Sequence, residues 1–409
     1  MKSRLTIDIK LDETAQGVKL FKTIKKIVLN KAELFKLAVF AWEMPKKLKE
    51  SEYIYLQSKV PAMESFLNDH VSFTDGAIIN EAYGDRVKKQ VSEYIGIAVG
   101  LKYSIKLLKV NPNKFSKIGT PIKGKYLDYS VIVNSKIYDI ETKGTVSKNF
   151  TSMKDDVLSK KESSKGKKTF LKYGTIALLS DEKHSRKATC IIVDDPPTNE
   201  TTDEDNSLEI QLRNYATLLS FILDTKYYNR FIRPVLKKEQ RKIRISKTKF
   251  FGRYAFKGKY FLGECFDYRL IRVDFDNDPI ASYSSFQTAT EKIGNTKIFI
   301  GLEEDLIETI NKRNFDELKQ YSRKPIYIEE KNLTQYLSED GVLIVKSTNH
   351  SDQQIEDIFP EDVVKERFNL GNSFERKKRH KCGAPCRSKQ IEGKPCERLT
   401  YRKHCYWHR

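Results

Sequence analysis

Leu5, Ile7, Ile9 and Leu11 alternate with polar residues at the start of the chain, a period of two that predicts a strand. Apolar residues spaced by three and four then predict helices over 18–30 and 32–42. A longer helix is predicted over 77–99, with Tyr83, Val87, Val91 and Ile95 as its buried stripe. Strands follow over 126–133 and 136–142, with Asn134-Ser135 as the turn between them. Residues 146–168 are crowded with Lys and Ser and read as a loop or helix. Two further β-like runs lie at 173–179 and 188–193. A polar, acidic loop at 194–206 leads into a helix at about 208–223.

From 229 to about 374 the pattern is again one of mixed strands and helices, and no internal repeat appears. The expected class is α/β (α+β), a central mixed β-sheet flanked by helices. Four parts are expected: an N-terminal helical and β subdomain (1–75), a core (76–228), an accessory α/β domain (229–375) and a small cysteine-rich module (376–409).

Length and composition fit this division. The chain has 409 residues, 39% of them hydrophobic, enough to build more than one core. No apolar run reaches the roughly 18 residues a membrane span needs. The N-terminus has no signal-peptide pattern, so a cytoplasmic protein without a membrane partner is expected.

Charge changes the picture more. Seventy-five Lys and Arg against 55 Asp and Glu give +20, which favours a polyanionic partner. Between Arg230 and Lys259 there are twelve basic residues and one acid, Glu239. Arg241, Lys242, Arg244, Lys247, Lys249 and Arg253 in this stretch are candidate contacts to nucleic-acid phosphates. The aromatics among them, such as Phe250, Phe251 and Tyr254, read as core.

Candidate chemistry sits on the strand pair. Asp128 lies near the start of the first strand, and Glu141 and Lys143 are two apart on the second, so they share a face. A tight turn would bring Asp128 alongside Glu141. Paired carboxylates suit Mg²⁺, which takes hard oxygen ligands. Lys143 would orient or deprotonate an attacking water, or stabilise charge on the phosphate. An acid two before a lysine recurs throughout this chain. The strand–turn–strand context, the preceding Asp128 and the following Gly144 distinguish this instance.

The run Asp128-x12-Glu141-Thr142-Lys143, with a helix before and strands after, resembles the PD-(D/E)XK nuclease superfamily, which includes many restriction endonucleases. The resemblance covers roughly residues 77–228, and its motif is short; Leu127 stands where the family often has proline. It implies a restriction-endonuclease-like αβββαβ core, Mg²⁺ dependence and phosphodiester hydrolysis. It also implies a possible further acidic residue from the preceding helix. Glu81 is the candidate, with Asp85 and Glu93 as alternatives.

Four of the six cysteines lie in the last 28 residues. In an intracellular chain such clustering reads as metal binding, and Zn²⁺ takes four thiolate or imidazole ligands. The wording Cys-Gly-Ala-Pro at 382–385, Gly-Lys-Pro-Cys at 393–396 and Cys405-x2-His408 resembles small Cys3His zinc modules at the ends of bacterial and phage nucleases. The resemblance implies Cys382, Cys396, Cys405 and His408 as ligands of a structural Zn²⁺, with Cys386 as an alternative to Cys382.

The combined reading is a Mg²⁺-dependent endonuclease acting on double-stranded DNA, of the type II restriction or antiviral defence kind, with a possible homodimer. The alternatives are a repair or recombination nuclease acting on ends or branches, and a non-catalytic zinc-containing DNA-binding protein.

Overall fold

The computed structural model describes residues 4–39, 63–64, 66–118, 127–163, 169–194, 200, 207–223, 252–268, 296–330, 333–348, 380–381 and 399–400. The chain divides into two units, Met1–Ile355 and Glu356–Arg409. The described residues of the first are mixed α+β.

Its first sheet has seven strands in the order β2-β1-β9-β8-β7-β6-β5. These are β1 (Arg4–Leu11), β2 (Lys26–Asn30), β5 (Ser116–Lys117), β6 (Tyr129–Val133), β7 (Lys136–Thr145), β8 (Leu171–Leu178) and β9 (Thr189–Asp194). β7 pairs with β8, and β1 with β9, in parallel; the other pairings are antiparallel. The strands from residues 4–30, expected in a separate N-terminal subdomain, thus complete the sheet of the core. The small hairpin of β3 (Val71–Thr74) and β4 (Ala77–Asn80) is a separate two-stranded pair that bridges in parallel to Ser180, just past β8.

Two helix expectations are corrected. Over 18–30 the chain forms a short 3-10 turn, Lys19–Thr23, and then β2; the helix α1 covers Lys31–Val39. The alternating burial along β2 (Ile27 and Leu29 in, Val28 out) shows why period two prevails there. Residues 77–99 are not one helix either. Ala77–Asn80 pairs with β3, Gly84 takes φ +79°, and α2 runs from Asp85 to Leu108. Tyr83 therefore lies outside the helix and is exposed, whereas Val91 and Ile95 are fully buried.

The β6–β7 turn falls at Asn134-Ser135, both with positive φ (48° and 59°), the backbone that a two-residue hairpin requires. Parallel pairing of β7 with β8 demands a crossover, and α3 (Thr151–Ser163) supplies it. After β9 comes α4 (Ser207–Ile222), close to the expected bounds.

The second sheet is antiparallel, in the order β10-β11-β12-β15-β14-β13. Its strands are β10 (Gly252–Phe256), β11 (Lys259–Tyr268), β12 (Thr296–Glu303), β13 (Ile326–Glu330), β14 (Leu333–Leu337) and β15 (Val342–Thr348), with α5 (Glu304–Lys312) and α6 (Phe315–Gln320). One continuous hydrophobic cluster includes residues of both sheets, such as Ile140, Tyr173, Ile300 and Ile344. In the second unit the described structure is the two-residue pairing of β16 (His380–Lys381) with β17 (Leu399–Thr400). Among the described residues no helix is long and apolar enough to cross a membrane.

The contact that positions the candidate site is the seat of α2 on β7. A Cβ at Gly144 would stand 1.9 Å from the Ser92 carbonyl oxygen, and one at Gly96 would stand 2.4 Å from the Gly144 nitrogen. One at Gly100 would meet the Thr175 and Thr142 side chains. Helix and strand touch backbone to backbone, which only glycine permits. Gly144→Ala should therefore destabilise the protein by about 3 kcal/mol in urea denaturation, since backbone cannot yield as a side chain tip does. Gly17→Ala, where a Cβ meets nothing within 4 Å, should change stability by less than about 0.5 kcal/mol. Equal effects would show that the seam is loose.

Candidate active site

The hairpin sets the register. Tyr129 pairs with Ile140, and the Asp128 N–H donates to the Ile140 carbonyl at 3.0 Å, so Asp128 stands beside Glu141. One Asp128 carboxylate oxygen, Oδ2, accepts from both the backbone N–H and the hydroxyl of Thr142, each at 2.9 Å. These bonds anchor the acid to the strand that carries Glu141 and Lys143.

The two faces of β7 do different work. Thr142 and Gly144 face α2, as the glycine contacts show. Glu141 and Lys143 face the other way, toward α3, whose Val157 packs on Gly174, the β8 neighbour of Glu141. Glu141 is completely buried. Its Oε1 accepts from Lys143 Nζ at 2.7 Å and from Lys160 Nζ. Its Oε2 is also buried and has no hydrogen-bond partner among the described residues. Asp156, one turn before Lys160 on α3, lies 3.0 Å from Lys143 Nζ and 3.7 Å from Lys160 Nζ.

Burial is the main influence on Glu141 and raises its pKa. The Asp128 charge adds to the effect, and the two lysines pull against it without cancelling it. Burial works against the Lys143 ammonium, but the neighbouring Glu141 and Asp156 carboxylates more than offset it, so its pKa is raised. At neutral pH Lys143 is therefore a firm hydrogen-bond donor, one quarter exposed at the rim.

Lys143 is thus ion-paired to Glu141, while the Asp128 carboxylate is bonded to Thr142 and acts on Glu141 through its charge. Glu81 does not join them. It precedes α2 rather than lying on it, its carboxylate accepts from the Ser72 hydroxyl, and its charge acts on Lys31 instead. Glu93 is a carboxylate of α2. Together with Asp128 and Glu141 it acts on the Tyr129 hydroxyl, whose pKa burial already pushes up.

Sequence reasoning missed Lys160 and Asp156. They lie in the Lys- and Ser-rich segment, where composition hides them. The available signal was topological: a parallel β7–β8 pair must lay its crossover helix on a sheet face.

Among the described residues no set of three or more His, Cys, Asp and Glu side chains converges as a ready metal site. A cation here would rest on two carboxylates, completed by water and substrate oxygens, as Mg²⁺ commonly is. The expected zinc ligands Cys382, Cys386, Cys396, Cys405 and His408 lie outside the described residues, as do Arg241, Lys242, Arg244, Lys247 and Lys249. Arg253 is described, and it is engaged within the chain. Its guanidinium donates to Glu304 at 3.0 and 3.1 Å and lies 3.5 Å over the Tyr260 ring.

No protein-family profile, curated protein or solved structure matches this chain.

A carboxyl with a raised folded-state pKa contributes stability below its unfolded value and loses it as pH climbs through the folded one. Glu141→Gln mimics the protonated acid. It should melt above the wild type near pH 8 in metal-free buffer, and the gap should close toward pH 4. Thermal melts across that range test this; a variant less stable at pH 8 than at pH 4, relative to wild type, would contradict it.

Proposed function

We propose that this chain is a Mg²⁺-dependent endonuclease of double-stranded DNA, with a restriction-endonuclease-like core. The observation that carries the reading is the buried, unpartnered Oε2 of Glu141 beside Asp128, with the Lys143 ammonium across from it. A buried carboxylate held charged next to a second one is costly unless something cationic completes it.

Asp128 and Glu141 are the residues that would hold Mg²⁺. When bound, the ion would polarise the scissile phosphate and acidify a water. Thr142 fixes one Asp128 oxygen and leaves the other to point elsewhere. Lys143 stays protonated and donates to the charge that develops on the phosphate, rather than acting as a base. The charge of +20 supports a polyanionic substrate.

Asp128→Ala and Lys143→Ala should each abolish cleavage of plasmid DNA in Mg²⁺ while DNA binding persists. Gel digests and binding titrations check this, and sequencing of product ends separates site-specific cutting from progressive shortening at ends. Cutting by both variants at the wild-type level, or tight binding with no cleavage by the wild type in Mg²⁺ or Mn²⁺, would remove the enzyme.

A structural Zn²⁺ in residues 376–409 belongs to the same reading. The pairing of His380 with Thr400 and Lys381 with Leu399 closes a loop whose sequence carries Cys382, Cys386 and Cys396. Two paired residues a side cannot hold such a segment without a staple. Elemental analysis of the purified protein should give one zinc per chain, lost in Cys405→Ser; a metal-free wild type would refute the module.

A further inference from the structure

Lys160 is not needed for the constellation read from the sequence, yet it occupies the centre of it. It reaches Glu141 from α3, on the opposite side of the sheet from α2, and shares the Oε1 atom with Lys143. Two ammonium groups on one oxygen, with Oε2 unpartnered, is an asymmetric arrangement. A hydrogen-bonded ion pair built only for stability would use both oxygens.

The local charge explains the asymmetry. Asp128, Glu141 and Asp156 contribute three negative charges and Lys143 and Lys160 two positive ones, leaving one negative. A divalent cation added to this set makes it one positive. A cation and the Lys160 ammonium would then compete for the same buried carboxylate. Asp156 already lies 3.7 Å from Lys160 Nζ, one turn away on the same helix, so a displaced Lys160 has a carboxylate to turn to. Its side chain is one-fifth exposed and has room to move outward.

We infer that Lys160 is a positioning residue and built-in counter-ion of this site, which holds Glu141 until a divalent cation displaces it and so sets the cation concentration at which the site fills. The inference rests on the metal-centre reading above and deepens it. Lys160 raises the threshold for metal binding, and Lys143, held by Asp156 as well, stays in place through the exchange.

The test is calorimetric titration of the full-length protein with Mn²⁺ alone, without DNA, for wild type, Glu141→Gln, Lys160→Met and Lys160→Arg. Wild type should bind one Mn²⁺ at this site, and Glu141→Gln should lose it. Lys160→Met should bind about fivefold more tightly, the scale of one partly exposed charge-assisted contact removed from competition. Lys160→Arg keeps the charge and should stay close to wild type. Unchanged or weaker Mn²⁺ binding by a folded Lys160→Met overturns the inference and leaves the metal centre intact. Binding that survives Glu141→Gln instead overturns the metal centre itself. Should Lys160→Met not fold, Lys160→Gln is read in the same titration. Unfolding of both would make Lys160 a structural residue and overturn the proposal.

Discussion

At Gly96 and Gly144 helix α2 and strand β7 meet backbone to backbone, and the placement of the site strand follows from that. Gly96 and Gly144 bring the helix backbone against the strand backbone, and Gly100 leaves room for the Thr142 and Thr175 side chains. Such an approach leaves the strand no freedom to shift along or away from the helix, because interiors are close-packed and deform poorly. The face turned away from α2 carries Glu141 and Lys143. Rigidity on one side is thus the support for charge on the other. Asp128 is tied into the same frame by two bonds to Thr142, a residue whose side chain packs in the α2 seam.

On the charged face the forces oppose one another. Burial and the Asp128 charge disfavour ionised Glu141, while Lys143 and Lys160 favour it. An apolar residue at 141 would avoid the desolvation altogether, and buried ion pairs often contribute little net stability. Keeping a carboxylate there, with one oxygen unpartnered, is a poor solution for folding and a suitable one for holding a cation. Local rules fail most visibly where a protein does its chemistry.

Much of the first sheet could be read from the chain because its signals are local. The Asn134-Ser135 turn, the strands on either side of it, and the helix at 207–222 all depend on near neighbours. The same locality made the register of Asp128 against Glu141, and the shared face of Glu141 and Lys143, legible. Misreadings arose where a distant partner decides. Ala77–Asn80 looks helical until Ser180 bridges to it, and Lys26–Asn30 until β1 pairs with it. Glu81 was chosen for a helix that begins four residues later, so its face could not be known. Lys160 and Asp156 were invisible because only the crossover topology lays α3 over Glu141.

The second sheet shows how such long-range choices are fixed. It does not stand on its own: Lys36 of α1 donates to both oxygens of Asp340 at 2.8 Å, and both residues are buried. Glu33, one turn earlier, accepts from Lys102 of α2 and from the Tyr336 hydroxyl of β14. Attraction within such pairs is largely offset by desolvation, so their main effect is on geometry rather than stability. An apolar contact in the same place would tolerate a slip of a residue, whereas a buried ion pair would then leave two charges unpaired. α2 is common to this network and to the glycine seam. The helix that fixes the site strand is therefore itself held in register by α1 and the second sheet. The strands of that sheet are then placed by the same helix that places Glu141, which gives a reason for their buried residues to share one hydrophobic cluster with the first sheet.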